Sequence, residues 1–155
     1  MAQDERVEDS MTGRYCLAKL DEMIDVVRGL DDETANAAPG LTGANSAYQI
    51  LSHCLGMARQ WTAEHILGEP TGRDRAAEFG ARGDVAELVA RARATRDQLA
   101  VDLSRMEPGM QVPGRPGVDT FWSHDVEGIL LHVLEELCQH LGHLEITRDL
   151  VTRGS

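Results

Sequence analysis

The spacing of apolar residues constrains this chain most. Four segments repeat apolar side chains at threes and fours, and none has the every-other-residue alternation of a half-buried strand. The first covers 12–30, with Leu17, Leu20, Ile24, Val27 and Leu30 on one stripe. The second covers 46–67 and carries Ala47, Ile50, Leu51, Cys54, Leu55, Ala58 and Trp61. Asn45 or Ser46 suits its N-cap, and Gly68 followed by Pro70 stops it. The third covers 84–106, where Asp84 with Glu87 resembles a capping box and Pro108-Gly109 ends the helix. In the fourth, 125–151, the stripe is Leu130, Val133, Leu134, Leu137, Leu141 and Leu144. The links 31–45, 68–83 and 107–124 are rich in Gly, Pro, Asp and Thr, as loops are. They exceed what an up-and-down bundle requires and are long enough to cross a helix of about 30 Å, so the topology stays open. The pattern predicts an all-α four-helix bundle with long inter-helix connections. Residues 1–11 read as a polar, solvated tail and 12–153 as a single domain.

Charge and cysteine content narrow the function classes. A net charge of −11 leaves no pool of cations to neutralise phosphates, which speaks against a nucleic-acid binder. No apolar run approaches the roughly 18–20 residues of a membrane span, so no membrane association is expected. The N-terminus lacks the basic and apolar regions of a secretory signal, which makes the cytoplasm the expected compartment. Cys16, Cys54 and Cys138 are odd in number and widely spaced, without a CxxC. They read as buried small hydrophobes in a reducing environment, not as a disulfide framework or zinc knuckle.

The stretch that carries chemistry is His132-Val-Leu-Glu-Glu136-Leu-Cys-Gln-His140-Leu-Gly-His143. At about 100° per residue, Glu136 and His140 differ by about 40° and share a helix face one turn apart. His132 and His143 fall on the same polar seam, which flanks the apolar stripe where a side chain can enter a bundle cavity. On the second segment His53 holds a matching shoulder position beside Ile50 and Met57. If the two helices pack side by side, His53 meets Glu136 and His140. Two imidazoles and a carboxylate are a common first shell for catalytic Zn²⁺, with one position left open. Ni²⁺ or Fe²⁺ would take the same ligands.

Each piece also has a plainer reading. A single histidine at the core edge often just donates to a carbonyl, and a Glu-x-x-x-His pair is often a surface pair. His143 is a candidate catalytic base or alternative ligand, whereas His132 reads as solvated surface. His65 and His124 lie at helix ends, where histidines cap carbonyls. Trp61 is either core or substrate platform. Arg148 and Arg59 are candidates to grip an anionic substrate, although arginines on an acidic protein mostly make ion pairs. Ser46 reads as a cap and not a nucleophile.

Taken together, Asn45-Ser46, His53, Trp61 and Glu136-x-x-x-His140-x-Gly142-His143-x-x-x-x-Arg148 resemble the DinB-like metalloenzyme superfamily. The resemblance spans 11–153 and is greatest to the thiol-transferase branch related to mycothiol-dependent maleylpyruvate isomerase. Many DinB-like members carry His-x-x-x-His on the last helix, whereas the mycothiol-dependent branch carries Glu-x-x-x-His. The resemblance implies a four-helix bundle with a metal at one end, held at the positions of His53, Glu136 and His140. It implies a low-molecular-weight thiol such as mycothiol as co-substrate, an electrophile as second substrate, and a homodimer. Catalytic roles fall on Glu136 and His143, and thiol-binding roles on Arg148 and Trp61. The chain lacks the isomerase's additional C-terminal domain, so a stand-alone thiol S-transferase is expected, with a DinB-like hydrolase or a non-catalytic binding module as the alternatives.

Overall fold

The structure, a computed structural model, describes residues 6–153. Among them every regular element is helical. After a short 3₁₀ turn, Val7–Asp9, the long helices are α1 (Met11–Arg28), α3 (Ala47–Arg59), α5 (Val85–Ser104) and α6 (Val126–Arg153). Two short helices, α2 (Asp32–Asn36) and α4 (Arg75–Phe79), lie in links read from sequence as loops. α3 runs without a break into a π-helical stretch, Gln60–Ile66, so the second segment is one continuous rod.

α1 packs on α6 and α5, and α3 packs on the same two helices. The four therefore form a ring in the order α1, α6, α3, α5. Chain neighbours α1 and α3 sit on one diagonal, and α5 and α6 on the other. This is the physical reason for the long first and third links, each of which must cross the bundle. The apolar stripes meet at the centre, where Leu20, Leu51, Leu99, Leu137 and Leu144 are fully buried.

Several local expectations change. The tail read as solvated has Met1–Glu5 outside the described residues as 1–5, but Val7 is buried and Ser10 caps α1 by accepting from the Gly13 N–H. Asp84 makes no side-chain cap on α5; instead Asp32 of α2 accepts from the Val85 N–H at 2.7 Å. A carboxylate brought from another element thus does the work expected of Asp84. Cys16 and Cys54 are buried as expected, but Cys138 is exposed on the outer side of α6.

Ser46 caps α3 with a full capping box, its partner being Gln49. Gln49 also reaches outward, its Nε2 donating to the Phe79 carbonyl at 2.6 Å. One residue thus starts α3 and ties the end of α4 against it. Gly56 provides the space for that docking: a Cβ there would collide with the Glu78 carboxylate.

Candidate metal centre

His53 projects from the middle of α3, and Glu136 and His140 project from successive turns of α6. One ligand atom from each lies within 4.8 Å of the others. The imidazoles of His53 and His140 meet edge to face, with centroids 4.8 Å apart. The Glu136 carboxylate lies between two histidines of its own helix, 3.5 Å from His140 Nε2 and 3.9 Å from His132 Nε2. The three residues singled out on spacing are brought together by the α3–α6 packing.

The surroundings of His53 were not legible in the sequence. Its Nδ1 lies 3.1 Å from Glu78 Oε1, and Phe79 stacks on its ring at 5.1 Å. Glu78 is itself gripped by Arg73, with Nε to Oε2 and Nη2 to Oε1 both at 2.8 Å. Arg73 also donates from Nη1 to Gln60 Oε1 in the π-helical stretch, again at 2.8 Å. Arg73 Nη2 approaches His53 Nδ1 at 3.2 Å, but guanidinium and Nδ1–H are both donors, and the carboxylate between them accepts from each. A hydrogen on Nδ1 leaves the Nε2 lone pair free. This carboxylate–histidine arrangement orients a metal-ligating imidazole and sets its tautomer.

Both imidazoles are held below the ordinary value of 6.5. For His53 burial is the main cause, with His140 and Arg73 acting the same way and Glu78 opposing. For His140 burial again leads, with Glu136 opposing and His143 adding to the depression. Neutral rings present lone pairs to a cation. His140 Nδ1 is buried and has no hydrogen-bond partner among the described residues. An orphaned nitrogen of this kind carries a desolvation cost that coordination would relieve. The donor set and the orphaned atom both fit a divalent cation.

The remaining candidates separate. His143 is exposed, its ring 6.2 Å from that of His140. Arg148 pairs with the adjacent Asp149 at 2.9 Å, and Arg59 pairs with the buried Asp102. Trp61 is half-buried in an aromatic cluster with Trp122, His132 and His65, at centroid distances of 5.0, 5.0 and 4.0 Å. His132 is not solvated surface: it stacks on Trp122 at 3.7 Å with the planes only 13° apart. His65 caps nothing; it is buried against Trp61 with Nε2 unpartnered.

The two buried thiols, Cys16 and Cys54, are not poised to act. Burial pushes Cys16 up to about 12 and raises Cys54 as well. A buried thiol kept protonated is a poor nucleophile.

Two adjacent helices of an all-helical bundle thus converge two imidazoles and a carboxylate into a donor set able to hold one divalent cation. The chain belongs to the mycothiol S-transferase family, whose model matches residues 15–153. The family is one of transferases, and its thiol substrate is mycothiol, in agreement with the resemblance in the sequence. No curated protein and no solved structure gives a significant match. Among the described residues, no helix is long and apolar enough to cross a membrane.

Proposed function

We propose that the chain is a metal-dependent mycothiol S-transferase that joins the thiol to a small electrophile, with a divalent cation held by His53, Glu136 and His140. The observation that carries this reading is the convergence of those three donors within 4.8 Å in a chain of this family. Zn²⁺ is the first choice for two imidazoles and one carboxylate, with Ni²⁺ or Fe²⁺ as alternatives. When bound, the cation would supply the charge that keeps a thiol deprotonated well below its usual value near 8.5.

The protein's own residues do the rest. Arg73 and Glu78 hold His53 in one orientation, so no reorganisation is needed when substrate arrives. Glu136 lowers the net charge of the site, which keeps the sulfur more nucleophilic than a third histidine would. In this reading His143, exposed and 6.2 Å ring to ring from His140, takes up the proton the thiol loses. The sulfur lone pair then forms the C–S bond, and the displaced electron pair leaves with the leaving group or, where the electrophile is an activated double bond, moves from the broken π bond onto its far atom, which takes up the proton the thiol lost. The free thiols of the chain suit a reducing cytoplasm, and a homodimer is the proposed assembly.

Metal analysis of protein purified without chelator, followed by turnover of a generic electrophile with and without mycothiol, tests the reading. Near-stoichiometric metal and strictly thiol-dependent turnover are expected. Metal-free active protein would discard the cation, and thiol-independent turnover would make the chain a hydrolase.

A further inference from the structure

A second cavity lies over the N-terminal half of α6, outside the ligand cluster. Its volume is about 450 Å³, within the range of small-molecule pockets. Trp122 and Phe121 form aromatic walls, and Gly128 and Leu131 line it from α6. Phe121 is 95% exposed, a large apolar ring with no packing role that a ligand would cover. Trp122, by contrast, is fixed in place by His132 and Trp61. A Cβ at Gly128 would collide with the Trp122 carbonyl, so glycine there lets this loop lie against the helix.

The polar lining is one-sided. Glu127 offers both carboxylate oxygens, Asp125 and Glu135 offer the oxygens not engaged by the Gly128 N–H and by His132, and no lysine or arginine lines the cavity. An anionic electrophile finds no cation there. A neutral ring bearing many hydroxyls finds acceptors for its O–H donors and aromatic faces for its C–H edges. The cavity also borders the ligand cluster through one residue: His132 lines it and lies 3.9 Å from Glu136. From the middle of 128–135 to the middle of 136–140 is roughly 10 Å along the helix axis. That separation suits a substrate with a polyol at one end and a sulfur at the end of an amide arm.

We propose that this cavity binds the sugar–cyclitol portion of mycothiol while its sulfur reaches the His53, Glu136 and His140 cluster. The sulfur end of this assignment rests on the transferase reading above; the sugar end rests on the cavity itself. The pocket therefore selects the thiol, and the electrophile is left to approach from the open side of the cluster.

The probe is N-acetylglucosaminyl-inositol, a neutral pseudo-disaccharide without sulfur, titrated into the full chain with tryptophan fluorescence and calorimetry as readouts. Binding with a fluorescence change is expected. Phe121→Ser and Glu127→Gln alter exposed positions, so the fold, checked by thermal melting, should hold while affinity falls about tenfold in each. The same variants should raise KM for mycothiol and leave KM for N-acetylcysteine unchanged. His53→Ala should bind the pseudo-disaccharide like the parent although transfer is lost. No binding by the parent chain, or equal binding by both pocket variants, would overturn the assignment. Displacement of the probe by an equal concentration of tetramethylammonium would also overturn it, by making the cavity an organic-cation site. Sugar binding by a chain with no thiol-dependent turnover would support the pocket and count against the transferase reading alone.

Discussion

The two sides of the candidate centre are built differently. On α3, His53 is 6% exposed and held from behind by a carboxylate, a guanidinium and a phenylalanine ring drawn from the second link. On α6, Glu136 and His140 are half-buried, lean on one another, and leave Nδ1 of His140 without a partner. One side is complete in the fold alone. The other is satisfied only when something else enters. In the proposed centre the held imidazole would fix the position of a cation and the less constrained pair on α6 would complete its ligand set.

Removing a ligand should have the largest effect on this contrast. His53→Ala and His140→Ala should each abolish stoichiometric metal binding and cut thiol transfer by more than about a hundredfold, beyond what outer-shell changes usually cost. Metal analysis and initial rates check this, and full activity in either variant would remove the centre altogether. Next comes the support behind His53. Arg73→Met leaves Glu78 buried without its cation, so stability should fall by about 3–5 kcal/mol in denaturant titration. Glu78→Gln should be milder in stability but should weaken metal affinity by roughly 10–100-fold, whereas no comparable partner exists to remove behind His140. Equal affinity in parent and Glu78→Gln would mean that His53 needs no positioning.

The pH response should follow from both imidazoles being held below 6.5 in the fold. In the unfolded chain they take up protons near 6.5 while the folded chain does not, so the metal-free protein is at full stability above that value and loses it as pH falls through and below it. Adding Zn²⁺ should move the acid midpoint downward, since protons and cation compete for the same nitrogens. An acid midpoint that ignores metal would separate the histidines from the site. The smallest change expected is at His143: His143→Gln should lower the rate by less than about tenfold, because water replaces an exposed proton acceptor easily. A full loss there would place His143 among the ligands.

The long helices were readable because each buries one face, and burial writes a 3.6-residue period into the sequence. His53, Glu136 and His140 were readable because their one-turn spacing and shoulder positions beside two apolar stripes combine into a recognisable ligand set, although each alone has a plainer reading. Glu78 and Arg73 carried no such mark. They lie on and just before a five-residue helix, too short for periodicity, and their partners come from α3 and its π-helical end. His132 was misread because its own helix suggests exposure; the ring that covers it, Trp122, comes from the loop before α6. Contacts supplied by distant irregular segments leave no local pattern, and the same holds for Asp32 acting on α5.

The ring order of the helices also sets a sequence of events during synthesis. His53 is synthesised long before α6, which docks between α1 and α3. A nascent chain ending before residue 126 holds one ligand of three. In the proposed centre, capture of a cation by all three donors would therefore wait for α6.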